Sequence, residues 1–113
     1  MGTLSTHVLD TSLGKPAAGI TVVLESVAGT VLSNDVLGDG ITDGDGRVGS
    51  IGPERLEAGD YRLRFASGGY FSARGVEAFY PEVVVVFTIA DADQHYHVPV
   101  LLNPFGYSTY RGS

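Results

Sequence analysis

Cysteine is absent from the 113-residue chain. That excludes a disulfide scaffold, a thiolate nucleophile and a thiolate-ligated metal. Lysine is nearly absent as well: Lys15 stands alone, and seven basic side chains face thirteen acidic ones, for a net charge of -6. A duplex binder needs a basic face to displace counterions from phosphate, so nucleic acid is not an expected partner. No apolar run approaches the roughly 20 residues that span a bilayer, so no membrane partner is expected either. The segment Met1 to His7 has no basic stretch leading into an apolar one, and Arg111-Gly112-Ser113 does not match the peroxisomal address Ser-Lys-Leu. A cytoplasmic location is the resulting expectation.

Apolar residues make up 43% of the chain and charged ones 18%, a balance that folds rather than stays disordered. The length suits a single domain, 1–113. Sixteen glycines and five prolines cut the sequence into short segments that alternate with period two, the pattern of a strand with one buried face. Ile20, Val22 and Leu24 alternate with Thr21, Val23 and Glu25; Tyr61, Leu63 and Phe65 alternate with Arg62, Arg64 and Ala66. Further strands are predicted over Leu4–Asp10, Thr30–Val36, Val48–Ile51, Glu82–Ile89, His95–Leu102 and Gly106–Tyr110. Turn-type breakers separate them, among them Gly14-Lys15-Pro16, the stretch Gly38 to Gly46, Ala58-Gly59-Asp60 and Asn103-Pro104. Only Tyr70 to Val76 reads as helix. About eight short strands with one short helix predict an all-β, two-sheet antiparallel β-sandwich.

Two strands are unusual. Val83-Val84-Val85-Val86-Phe87 is apolar on both faces, whereas an antiparallel strand normally shows one face to water. His95 to Leu102 also has little polar surface, and its Pro99 cannot donate to a ladder, which places that end at an edge or bulge. Either the core is thick here, or these strands meet another subunit.

The three histidines are His7, on the first strand, and His95 and His97, two apart and hence on one face of a late strand. Pairing of the two strands in one sheet would set imidazoles side by side. Three readings fit them: hydrogen-bonded structural residues, a His-x-His metal site completed by His7, or metal-free acid–base chemistry on water. The acidic loop Asp39 to Gly46 suggests calcium, but with Gly46 as the sixth residue the first and twelfth positions fall on Ile41 and Gly52, which lack ligand oxygens. A hairpin turn is the better reading, with Arg47, by itself a simple surface charge, just after it. The polar terminus Gly106 to Ser113 reads either as a fraying tail or as one tied into a sheet, bringing Tyr110, Arg111 and the terminal carboxylate to a site.

Taken together, three blocks resemble the transthyretin-related 5-hydroxyisourate hydrolases over nearly the whole chain. They are Leu4-Ser5-Thr6-His7-Val8-Leu9-Asp10 with Gly14-Lys15-Pro16-Ala17, Asp45-Gly46-Arg47, and His95-Tyr96-His97-Val98-Pro99 running on to Tyr107-Ser108-Thr109-Tyr110-Arg111-Gly112-Ser113. The terminal Tyr-Arg-Gly-Ser behind His-x-His-x-Pro is the most specific block, and it separates the resemblance from transthyretin, the hormone carrier of the same fold. The resemblance implies a transthyretin-like sandwich assembled as a homotetramer, a dimer of dimers with sites where dimers meet. It implies an enzyme that hydrolyses a ring amide of 5-hydroxyisourate to 2-oxo-4-hydroxy-4-carboxy-5-ureidoimidazoline, in urate breakdown, with no metal and no cofactor. It assigns catalysis to His7, Arg47 and His97, and substrate binding to Tyr110, Arg111 and Ser113, with His95 matching the first histidine of His-x-His. A non-catalytic carrier of small ligands is the alternative, and a metal-dependent hydrolase using His7, His95 and His97 a further one.

Overall fold

The computed structural model describes residues 3–27 and 36–112. Among these described residues, nine strands and one helix follow one another as β1 (Leu4–Asp10), β2 (Lys15–Pro16), β3 (Thr21–Ser26), β4 (Val36–Ile41), β5 (Arg47–Val48), β6 (Gly59–Phe65), α1 (Ser67–Ala73), β7 (Val83–Ile89), β8 (Tyr96–Asn103) and β9 (Gly106–Thr109). They form two sheets. One has the order β2-β1-β8-β9, with β5 also paired to β1; the other has the order β4-β3-β6-β7. The sandwich of the sequence analysis is present, with two of its nine strands only two residues long.

The period-two alternation is what builds the core. Leu4, Val8, Val98, Val100 and Leu102 of the first sheet are buried against Val22, Leu24, Leu63, Phe65 and Val83 of the second. Burial of this apolar surface is the main force holding the layers together. Helix α1 adds Phe71 and Tyr70 to this core, and the Tyr70 hydroxyl donates to the buried Asp10 carboxylate at 2.8 Å. Burial alone would raise the Asp10 pKa, but bonds from Ser12 and Tyr70 hold it below the usual carboxylate value. The same contact and burial push Tyr70 up to about 12.

Several sequence expectations are corrected. Not every pair is antiparallel: β1 and β8 run parallel, in register from Leu4↔Tyr96 to Asp10↔Leu102. The stretch from Gly38, expected as a breaker, belongs to strand β4; Gly38 is there because a Cβ would lie 2.7 Å from the Cα of Gly52. Of the strand expected at Thr30–Val36, residues 30–35 lie outside the described residues. Asp43 to Gly46 does turn, but it is no hairpin, since β4 pairs with β3 in one sheet and β5 with β1 in the other. The helix begins at Ser67 rather than Tyr70, and β5 ends at Val48 rather than Ile51. The late strand begins at Tyr96, leaving His95 exposed ahead of it. Pro99 is not at a sheet edge: it lies inside the β1–β8 ladder opposite His7, and only the β9 pairing on its other side starts one residue later, at Val100↔Thr109. The doubly apolar β7 is a sheet edge with Val86 exposed. Among the described residues, no helix is long and apolar enough to cross a membrane.

Candidate active site

Alternation along two neighbouring strands creates the site. In β1, Leu4, Thr6, Val8 and Asp10 are buried, which turns Ser5, His7 and Leu9 to the outer face of the first sheet. In β8, Tyr96, Val98, Val100 and Leu102 are buried, which turns His97, Pro99 and Leu101 to that same face. The parallel register sets Ser5 beside His97 and His7 beside Pro99, so His7 and His97 are diagonal neighbours on one surface. The pairing is pinned by Thr6, whose buried hydroxyl donates to the Val98 carbonyl at 2.6 Å.

Arg47 reaches this surface from the other flank of β1, directly opposite His7. The acidic loop fixes it there. The Asp43 carboxylate accepts the backbone N–H groups of Asp45 at 2.9 Å and Arg47 at 3.0 Å, and these bonds hold its pKa below the ordinary value. Gly46 then turns with φ of 75°, a left-handed conformation suited to glycine. A Cβ at Gly46 would stand 2.3 Å from the Val8 carbonyl oxygen, so only glycine lets the loop lie against β1. The Arg47 side chain is exposed and makes no ion pair with any described residue. A guanidinium held next to an imidazole and engaged in no ion pair is available to an anionic or polar substrate.

A chain of hydrogen bonds runs behind the histidines. The Ser5 hydroxyl lies 2.8 Å from Nδ1 of His97 and 3.0 Å from Nε2 of His95. The Thr3 hydroxyl is bonded to Nδ1 of His95. Nε2 of His97 is left without a partner among the described residues. The His97 pKa is lowered by burial, and further by Arg47, His7 and His95. Each of these disfavours the charged ring, so His97 stays neutral to lower pH than a free imidazole.

The C-terminal segment is tied down. Beyond β9 it continues beside β8, and the Gly112 N–H donates to the His97 carbonyl at 2.9 Å. Alternation turns Tyr110 and Gly112 toward the His97 face and Arg111 away from it. Arg111 stacks over the Tyr96 ring at 4.8 Å and donates to Gln94 Oε1 at 3.1 Å. Tyr110 and Arg111 both line a hollow of about 300 Å³ between this tail and the β7 edge, whose other walls include Val85 and Phe87. The geometry therefore unites His7, Arg47, His95, His97 and the tail backbone; the Arg111 guanidinium lies on the far side of the tail. Ser113 is outside the described residues. Ser5, Asp43 and Gly112 were not singled out from sequence. Ser5 was findable, standing two residues before His7 and therefore on its face. Asp43, four residues before Arg47 in an Asp-Gly loop, carried the signal of an Asx turn.

No group of three or more metal-ligating side chains is assembled among the described residues. The ring nitrogens of His95 are engaged by Ser5 and Thr3. What the face offers is two imidazoles and one guanidinium on a rigid sheet: a set able to move a proton and stabilise a developing oxyanion.

Fold and site together describe a transthyretin-like sandwich with an acid–base face outside its core. The HIUase/Transthyretin family pattern matches residues 4–112, and the chain belongs to that family. It is 48% identical over 111 residues to a 5-hydroxyisourate hydrolase of Salmonella dublin, covering 97% of this chain and 80% of that one. Its structure is similar to that of Klebsiella pneumoniae 5-hydroxyisourate hydrolase, with a TM-score of 0.86, 38% identity and coverage of 100% and 94%. It is also similar to transthyretin from Sparus aurata, with a TM-score of 0.88, 27% identity and coverage of 99% and 97%.

Proposed function

We propose that this chain is an enzyme that hydrolyses 5-hydroxyisourate to 2-oxo-4-hydroxy-4-carboxy-5-ureidoimidazoline in urate catabolism. The observation that carries the reading is the shared face of His7 and His97 with Arg47 opposite His7; the names of the relatives supply the substrate. Water needs a base, and a neutral imidazole supplies it. His97, kept neutral by its surroundings, takes the proton from water while His7 orients the water or donates to the departing nitrogen. Attack forms a carbon–oxygen bond and places negative charge on the former carbonyl oxygen. The Arg47 guanidinium stabilises that charge. Collapse breaks the ring carbon–nitrogen bond, the nitrogen takes the proton, and a carboxylate remains. Tyr110 and Ser113 hold the polar edges of the substrate, while Arg111, on the far side of the tail, anchors the tail through Tyr96 and Gln94 instead of the substrate role expected of it.

The proposal includes assembly. In one chain the histidine face lies open, and Leu9, Pro99 and Leu101 stand on it beside the polar groups. A homotetramer, a dimer of dimers meeting on this face, would shelter the site from bulk water. The reading is of one domain spanning 1–113, working in the cytoplasm without metal or cofactor. The test is direct: urate oxidase generates 5-hydroxyisourate, and its absorbance decays faster when this protein is added. Binding without accelerated decay would instead indicate a carrier. Elution as a monomer in size-exclusion chromatography would remove the assembly claim.

A further inference from the structure

His95 is placed to serve the reaction without touching substrate. It is exposed, ahead of β8, and both its ring nitrogens are taken by hydroxyls: Nδ1 by Thr3 and Nε2 by Ser5 at 3.0 Å. Ser5 in turn reaches Nδ1 of His97 at 2.8 Å. A hydroxyl has one proton, so Ser5 donates to one ring and accepts from the other. Two arrangements satisfy the chain. In the first, His97 Nδ1–H donates to Ser5 and Ser5 donates to His95, leaving Nε2 of His97 a bare base. In the second, every bond is reversed and Nε2 of His97 carries a proton, making it an acid. The chain thus couples the state of the reacting nitrogen to His95.

We propose that Ser5 and His95 form a proton relay behind His97, with His95 holding the charge of the proton that His97 takes from water. The proposal rests on the hydrolytic reading above. In the step, Nε2 of His97 gains the water proton, Nδ1 passes its proton to Ser5 Oγ, and the Ser5 hydroxyl proton moves to Nε2 of His95. One proton enters and none leaves; the positive charge ends on His95 as an imidazolium. Reversal returns a proton from Ser5 to Nδ1 of His97, and the ring then delivers its Nε2 proton to the departing nitrogen.

The location of charge is the reason for the relay. His97 is partly buried and faces Arg47 from β5 and His7 from β1, with His95 ahead on its own strand, Arg111 across the tail, and Asp43 beside His7. A positive ring among these cations is disfavoured, as the direction of the His97 shift indicates. His95 precedes His97 by two positions, further along the pairing from His7 and Arg47, so the same charge is less opposed there. His95 and Ser5 are positioning residues, acting on the chemistry through His97.

Three full-length variants test this: Ser5→Ala removes the hydroxyl, Ser5→Thr keeps it, and His95→Gln keeps a partner for Ser5 that cannot take a proton. In the 5-hydroxyisourate assay, Ser5→Ala and His95→Gln should each lose about ten- to a hundredfold in kcat, part of the range for acid–base groups, with KM little changed. Ser5→Thr should recover most of the loss. The double variant Ser5→Ala/His95→Gln should be no slower than Ser5→Ala alone, because a broken relay breaks once. Imidazole ¹⁵N spectra across pH supply a readout that needs no substrate: both broken variants should change the His97 tautomer ratio and titration. Full kcat in His95→Gln, multiplying losses in the double variant, or unaltered His97 spectra would overturn the relay. An inactive wild type with the expected spectra would overturn the hydrolytic reading and leave the relay standing.

Discussion

Replacing Gly112 with alanine adds one methyl group at the point where the tail crosses His97. That Cβ would stand 2.6 Å from His97 Cδ2 and 3.2 Å from Pro99 Cγ, where ordinary contact begins at 3.4 Å. The tail or the ring must therefore move by about 0.8 Å. The tail is anchored by the Gly112 N–H bond to the His97 carbonyl, so yielding there costs that bond. If the ring yields, its Nδ1 leaves Ser5. A displacement of about 1 Å in a reacting group costs on the order of 10²-fold in rate, or about 2.7 kcal/mol. The φ of Gly112 is not positive, so alanine adds no backbone strain, and the core is untouched. Gly112→Ala should therefore lose about 10²-fold in 5-hydroxyisourate turnover while its melting temperature stays near that of the wild type. Turnover near the wild-type rate would refute the claim that the tail and His97 form one site.

Four further outcomes are expected. His7→Ala, His97→Ala and Arg47→Ala should each lose at least about 10²-fold in turnover and retain the far-ultraviolet circular dichroism of the parent; a near-normal rate in both histidine variants would remove the acid–base mechanism. Deleting Tyr110 to Ser113 should abolish turnover and leave a cooperatively melting sandwich, so an active truncated protein would count against the tail. For pH, His97 has its pKa below the ordinary 6.5, so the base form persists into mildly acidic solution and the acid limb of kcat/KM falls below that value; Arg47→Ala removes a cation and should move the limb upward, and an unmoved limb would detach Arg47 from His97. The same depressed pKa means the unfolded chain binds the proton first, so this group's contribution to stability is present above 6.5 and is lost as pH falls through the folded value. Finally, Tyr70→Phe leaves the buried Asp10 carboxylate one donor short and should cost about 1–3 kcal/mol, read as a lower melting temperature with unchanged kcat.

The sequence exposed those features that local periodicity encodes. The burial of Ile20, Val22 and Leu24, and of Tyr61, Leu63 and Phe65, was visible because a half-buried strand must alternate. Strand β4 was hidden because its Gly38 and Gly40 are spaced like turn residues. Their actual constraint is a close approach, by Gly52 at 2.7 Å and by Val48 at 2.9 Å, made by residues beyond the turn that follows β4. The parallel pairing of β1 with β8 was hidden for a related reason: it joins segments about 90 residues apart, and no turn between them announces it. His7 and His97 were legible as residues and as faces; their adjacency depended on that pairing. The side of the tail on which Arg111 lies followed only from the register β9 sets, Val100↔Thr109.

The same pairing explains how a sandwich acquires chemistry without weakening itself. Along β1, function and stability take alternate residues: Leu4, Thr6, Val8 and Asp10 serve the core, while Ser5 and His7 serve the outer face. Along β8 the division repeats, with Tyr96, Val98 and Val100 inward and His97 and Pro99 outward. A slip of one residue in either strand would bury imidazoles and expose leucine and valine together. The hydrophobic register that makes the fold stable is therefore also what aligns His7 with His97, and the active geometry needs no separate scaffold.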